Sequence, residues 1–299
     1  MKKFLFVAVV LLQSGTTRSA FASDYGILLL AHGGDAQWNA TVSTISAGLD
    51  AQAPTEVAFG MADSAALQRA VDKLETRGVH KIVAVPLFVH SRSEVLDQTR
   101  YLLGLRAQPS EILRDALAAM PHDMAHHGGH MMAFSTERVR AKEPISMAAA
   151  LDDSRTVADI LARRARALSR APKTETVVLV AHGPVDDAAN AAWLATMKTQ
   201  AERLRKEGGF KQVVALTIRD DSRPDVKGPA LQALRDAVTK ASHDGGRAIV
   251  VPYLIAQGGI ESHIVSALEG LDYAWDGKTL CPDPAIGVWA AKAARSAAR

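Results

Sequence analysis

One phrase occurs twice and fixes most of what this chain can become. Ile27–Gly34 reads ILLLAHGG, and Val177–Gly183 reads VVLVAHG. A short run of apolar residues with no polar alternation suits a strand buried on both faces. Each run ends in a histidine and then turns on glycine. Both copies are followed by the same landmarks: an amphipathic helix, a strand, a second amphipathic helix, and a strand closing at a proline. That doubled order predicts an internal duplication. Strands alternating with helices imply parallel sheets with right-handed crossovers. The expected fold class is therefore α/β, with two similar three-layer α/β/α lobes whose parallel sheets face a central cleft. With 299 residues, 48% of them hydrophobic, the chain can build such cores.

The first lobe is read over residues 23–106. Its strands are Ile27–Leu30, Val57–Phe59 and Ile82–Val85. Trp38, Val42, Ile45 and Leu49 make one helix face, and Leu67, Ala70, Val71 and Leu74 the next. Asp63 or Ser64 caps that second helix, and Gly78 stops it. The second lobe, residues 172–299, repeats this with Val177–Val180, Val213–Leu216 and Ile249–Val251. Its helix faces are Trp193, Met197, Ala201 and Leu204, then Leu231, Leu234 and Val238, with an alanine-rich helix from Ile286 to the end. Residues 107–144 lack periodicity and read as an insertion rich in histidine and methionine. A helix linking the lobes is expected over 145–171.

Residues 1–22 have the form of a secretory leader. Lys2 and Lys3 precede the apolar run Phe4–Leu12, and Ala20-Phe21-Ala22 offers small residues for cleavage. The expected location is the periplasm, with the membrane touched only through this segment if it stays uncleaved.

Strand ends are where open α/β sheets bind ligands, so the chemistry is sought there. His32 and His182 stand at matching strand ends. Imidazole serves both as a metal ligand and as an acid or base near neutral pH; a strand-end histidine can also merely bond the next loop. His90, Glu94 and Asp97 follow Pro86, and Glu261 and His263 follow Pro252. Carboxylate with imidazole suits a divalent first-row metal or a proton relay, and equally a helix cap and a solvated histidine. In the insertion, His126, His127 and His130 could share an ion, although the spacing matches no closed structural site. Net charge is only +3 and aromatics are 5%, so nucleic acid is not an expected partner. The single cysteine, Cys281, excludes an intramolecular disulfide framework. No P-loop, GxSxG elbow or GxGxxG unit is present, which leaves NTPase, acyl hydrolase and dinucleotide readings without support.

LLLAHGG with Trp38-Asn39, then VAVPLF and LLGL, resembles the CbiX/sirohydrochlorin cobaltochelatase-like group, class II tetrapyrrole chelatases of the CbiK/ferrochelatase superfamily. VLVAHGPVDDAANAAW and VPYLIAQGGIESHI in the second lobe resemble the same family. The resemblance implies insertion of Co²⁺, Ni²⁺ or Fe²⁺ into a sirohydrochlorin-type ring, with no nucleotide. It implies a tetrapyrrole partner and leaves room for a homodimer. Carried over by position, it implies His32 and His182 as the first metal-holding histidine of each lobe; the expected ligands are His182 and His263 in lobe two and His32 and Glu94 in lobe one, with His90, read from its place after Pro86, beside them. The family's second histidine falls on Glu94 in lobe one and on Ile260 in lobe two, with His263 one helical turn beyond. Its acidic residue is matched most nearly by Asp63 and Asp220. Arg92, Arg219 or Arg223 would suit an acidic macrocycle at the rim. A non-catalytic metal- or tetrapyrrole-binding protein using the same cleft is the alternative, and a partner-binding domain that inherited the fold is a third.

Overall fold

The computed structural model describes residues 24–109, 137–243 and 246–299. The leader and the His122–Met132 stretch, with His126, His127 and His130, lie outside the described residues.

Two parallel sheets form. The first holds β1 (Gly26–Ala31), β2 (Thr55–Phe59), β3 (Ile82–Pro86) and β4 (Ile145–Met147) in the order β2-β1-β3-β4. The second holds β5 (Glu175–Ala181), β6 (Gln212–Thr217) and β7 (Arg247–Pro252) in the order β6-β5-β7. The two repeated phrases are thus the central strands. Leu29 lies beside Val57 and Val85, and Leu179 beside Ala215 and Val251. Every residue of β1 and β5 is buried, which is what central strands covered on both faces require.

Around the first sheet run α1 (Ala36–Asp50), α2 (Ser64–Thr76) and α3 (Glu94–Leu102). Asp35 and Asp63 cap the first two, accepting from the backbone N–H of Trp38 and Ala66. Then come α4 (Arg155–Leu168), α5 (Asp187–Gly208), α6 (Pro224–His243), α7 (Ile260–Ala267) and α8 (Ala285–Ala297). Gly209, in the left-handed region, stops α5. No described helix is long and apolar enough to cross a membrane.

The helix expected from Ile145 is shorter than read. Ile145–Met147 is instead a fourth strand, paired Ile82 to Ile145 and Ala84 to Met147. Pro144 precedes it, and its carbonyl accepts from the Ile82 N–H at 2.9 Å. Three residues are too few to show a period, and the open edge of β3 decides their conformation. The helix begins only at Arg155, where the Ser154 side chain caps it by accepting from the Val157 N–H.

The helices do not stay with the sheet they follow. α4 comes after the first sheet but docks on the second: Arg166 donates to the Glu207 carbonyl at 2.8 Å, and Arg247 to the Leu168 carbonyl at 2.8 Å. α8 ends the chain but returns to the first sheet, with Lys81 donating to the Ala298 carbonyl at 2.6 Å and Ser146 to that of Ala297 at 3.0 Å. One continuous core results. It joins Leu29 and Val85 of the first sheet to Leu179 and Val251 of the second, through Ile160 and Leu161 of α4 and Ile286 and Ala290 of α8. The outer faces make separate clusters, Leu28 and Leu30 with Leu67 and Leu74, and Val178 and Val180 with Leu234 and Val238.

Candidate metal centre

In the second lobe, loops at three points of one sheet end converge. β5 runs out at Ala181 and delivers His182, half-buried, at its mouth. Gly183 then turns at φ +78°, and a Cβ there would sit 2.6 Å from the Thr217 Cβ. Only glycine tolerates both conditions. β6 ends at Thr217, and Arg219 adopts φ +50°. That strained turn is held by the buried Arg219 side chain, which pairs with Asp187 at 2.8 Å and donates to the Val185 carbonyl. The turn presents Asp220 and Asp221 side by side. From the third direction, α7 brings His263.

The resulting contacts are direct. His182 Nε2 lies 2.9 Å from Asp221 Oδ2. His263 Nδ1 lies 2.9 Å from Asp220 Oδ2, and Lys227 Nζ lies 2.6 Å from Asp220 Oδ1. One donor atom each from His182, Asp220 and Asp221 fits within 4.8 Å of the others, a spacing that can hold a single ion. The Asp220 side chain is 7% exposed. Burial works to raise its pKa, but the hydrogen bonds from Lys227 and His263 overcome this and hold it below the ordinary carboxylate value. A carboxylate on His263 Nδ1 fixes that ring, with no partner for its Nε2 among the described residues, the arrangement that orients imidazoles toward metals. Mixed imidazole and carboxylate donors suit divalent first-row ions. Glu261 turns back to accept from the Gly258 N–H at 3.1 Å, which ties it to the glycine turn leading into the helix that carries His263.

The first lobe builds something else from the same phrase. The His32 ring stacks on Trp38, centroids 4.9 Å apart, and its Nδ1 sits 3.0 Å from the Gly33 carbonyl. Trp38 Nε1 donates to the His32 carbonyl at 2.7 Å, so indole and histidine are fixed together. Asp63 is spent on capping α2 and adds no ligand. Glu94 opens α3 at the boundary with the second lobe. Burial first, then the charges of Asp186 and Asp97, raise its pKa. Among the described residues, one of its oxygens is buried without a hydrogen-bond partner. No described hydrogen bond or ion pair joins Glu94 to His32, and among the described residues no set of three metal-ligating groups forms in this lobe.

His90 corrects the sequence reading more sharply. It is buried in the joint between the lobes. Its Nδ1 accepts from the Arg92 N–H at 3.0 Å, and its Nε2 faces Thr196 Oγ1 at 3.0 Å. The ring stacks on Trp193, whose indole N–H donates to the Arg92 carbonyl at 2.7 Å. Both nitrogens are engaged, and burial lowers its pKa, so it fastens one lobe to the other and has no lone pair left for an ion. Arg219, expected at the rim, is likewise buried and paired. Arg223 pairs with Asp225 at 3.0 Å in solvent, while Arg92 is exposed. Cys281 is buried, and burial followed by the charge of Asp283 pushes its thiol up to about 12.

Asp221 and Lys227 were not legible as site residues. The available signal was the Asp220-Asp221 pair just past the end of the middle strand, the sheet edge where ligands gather.

Residues 26–168 match the family model of CbiX. The fold is similar to SirB from Bacillus subtilis with Fe³⁺, at 16% identity and a TM-score of 0.58, covering 92% of this chain and 95% of that one. It is similar to the sirohydrochlorin chelatase SirB from Bacillus subtilis subspecies spizizenii in complex with cobalt, at 15% identity, a TM-score of 0.58 and the same 92% and 95% coverage. It also resembles DR2241 from Deinococcus radiodurans, a multi-domain protein with structural similarity to chelatases, at 17% identity and a TM-score of 0.53; 90% of this chain matches 54% of that one. No curated protein matches the sequence.

Proposed function

We propose, for a chain whose residues 26–168 match the CbiX family model and whose two-lobed fold is similar to that of the chelatases, an exported chelatase that inserts a divalent metal into a sirohydrochlorin-type tetrapyrrole without ATP. The observation that carries the reading is the lobe-two cluster, with His182, Asp220 and Asp221 close enough to share an ion and His263 oriented on Asp220. Co²⁺ is the favoured substrate ion, with Ni²⁺ and Fe²⁺ as the alternatives of like chemistry.

The chemistry asks for a metal donor and a proton sink. One M²⁺ forms bonds to the ring nitrogens as two pyrrole N–H protons leave. His182 and His263 hold the ion by imidazole nitrogens, which release it more readily than a closed thiolate site would. The carboxylates of Asp220 and Asp221 balance its charge. Glu94, across the lobe boundary and with its pKa raised by burial and by the charges of Asp186 and Asp97, is the carboxylate placed to take up a departing proton. His32, held flat on Trp38, lines the opposite strand end. Export rests on Lys2, Lys3, the Phe4–Leu12 run and Ala20-Phe21-Ala22.

The test is spectroscopic. Mature protein is mixed with sirohydrochlorin and Co²⁺, and the absorption change is followed against the uncatalysed rate. Acceleration that is lost in His182→Ala and His263→Ala is the expected result. Tight binding of both reactants with no acceleration would make the protein a carrier instead.

A further inference from the structure

A cavity of about 470 Å³ lies at the lobe boundary, between the start of α1 and the segment from Lys278 to Pro284. Trp38, the indole under His32, forms one wall. Ala256 and Gln257, which lead from β7 toward the helix carrying His263, form another. The cavity is therefore bordered by residues that follow β1 in the first lobe and β7 in the second, the strands whose ends lead to His32 and His263. A second hollow shares Gln37, Thr41 and Pro284 with it and continues along α1 past Ile45.

The cations here are unequally used. On α4, Arg155 pairs with Asp159 and Glu207, Arg163 with Asp283, and Arg166 bonds the Glu207 carbonyl. Arg164, on the same helix and lining the cavity, has no carboxylate among the described ion pairs. Among the described residues it uses one of its five N–H donors, in a long 3.4 Å bond to the Thr279 carbonyl, and its buried Nε finds no partner there. A half-buried guanidinium left this way is costly unless something else binds it. The two lining carboxylates do not supply that partner. Asp35 caps α1 through the Trp38 N–H at 2.7 Å, and Asp283 holds Arg163 and the Ala285 N–H. Lys278 stands at the mouth, loosely paired with Asp276 at 3.6 Å.

We propose that this cavity is a carboxylate-binding subsite, in which the Arg164 guanidinium with Lys278 at the mouth takes an acidic side chain at the edge of the macrocycle. The inference rests on the tetrapyrrole reading above and deepens it. A planar fork of donors matches a carboxylate in two parallel hydrogen bonds, which a point charge cannot do. Anchoring one edge of the ring here would fix which way the macrocycle faces the cluster of lobe two.

The experiment titrates the mature full chain with sirohydrochlorin, and with a neutral porphyrin lacking carboxylates, by quenching of tryptophan fluorescence. Arg164→Gln should weaken sirohydrochlorin binding at least about tenfold, the worth of one charge-assisted hydrogen bond. Arg164→Lys should weaken it less. The neutral porphyrin should bind the wild type and both variants alike, and Co²⁺ binding should be unchanged in all three. Thermal melts report whether each variant is folded. If Arg164→Gln binds sirohydrochlorin as the wild type does, the subsite is wrong while the chelatase reading stands. If the wild type binds no sirohydrochlorin, that reading falls, and calorimetry with citrate decides the cavity by itself. Arg164-dependent citrate uptake would keep it as a site for a smaller acid; no uptake would end it.

Discussion

Asp220→Asn is the most informative single change, because Asp220 lies between both histidines of the cluster and keeps its shape when its charge is removed. In the wild type it receives a 2.6 Å contact from Lys227 and a 2.9 Å contact from His263. Hydrogen bonds to a charged group are worth about 1.5–3 kcal/mol each, and neutral ones about 1. Lys227 and His263 are partly solvated, so the low end applies, and the loss over two bonds is about 1–2 kcal/mol. For a chain of this size that is roughly 2–6 °C in Tm. Because the native pKa of Asp220 is depressed, its contribution is complete above the unfolded carboxylate value and fades as pH falls through the native one. The Tm gap between the two proteins should therefore be full at pH 7 and close in strong acid. The larger effect is on the ion. Removing a carboxylate that ligates, or that orients His263, should weaken Co²⁺ binding by about 10–100-fold, read by calorimetry at pH 7.5. If Asp220→Asn melts lower but binds Co²⁺ within about threefold of the wild type, Asp220 is only a clip on α7, and the ion is held elsewhere.

The two glycines after the histidines should behave differently. Gly33→Ala, with no atom within 4 Å of the new Cβ, should cost less than about 0.5 kcal/mol, whereas Gly183→Ala, at φ +78° against Thr217, should cost about 2 kcal/mol or more and reduce Co²⁺ affinity, both read by denaturant unfolding and calorimetry. His90→Ala should destabilise by about 2–3 kcal/mol through the lost bonds to Thr196 and the Arg92 N–H, yet leave Co²⁺ affinity within twofold; a large loss of affinity would restore His90 as a ligand. Glu175→Gln should cost about 1–3 kcal/mol at pH 7, since the buried carboxylate accepts from Ser169, from the Arg170 N–H at 2.9 Å and from Arg247 at 3.3 Å. Burial works against those bonds but does not prevail, and the native pKa is lowered, so the penalty should shrink as pH falls through that value in acid unfolding curves.

The fold was legible where the period was long. β1 and β5 announce themselves as unbroken apolar runs, and the faces Leu67, Ala70, Val71 and Leu74, then Leu234 and Val238, are buried as read. β4 was not legible, because three residues carry no period. The exchange of α4 and α8 was hidden for a different reason. An apolar helix face states that it must be covered, not by which sheet. Of the site, His182 and His263 could be placed at the right sheet end, since strand position fixes them. What brings them together is the turn at Arg219, whose positive φ and pairing with Asp187 are tertiary facts. Asp221 becomes a candidate only once that turn is known.

The duplication is therefore kept in backbone and abandoned in chemistry. Both copies of the repeated phrase end a central strand at the same place, yet one histidine faces two carboxylates and the other lies flat on an indole. A symmetric pair of ion sites would give a macrocycle no reason to face one lobe rather than the other. In the proposed reaction the ion would sit in lobe two and the base, Glu94 with an oxygen unpartnered among the described residues, across the boundary, a separation that suits insertion with proton loss. That division works only if the lobes hold a fixed spacing. The continuous core through α4 and α8, together with the His90–Trp193 stack, supplies that spacing, because opening the lobes as rigid bodies would expose Leu29, Ile160, Leu179 and Ile286 together. At about 25 cal/mol per Å² of apolar surface, four large side chains cost several kcal/mol to uncover. Substrate entry should then proceed through the loops at the sheet ends, with the lobes closed throughout.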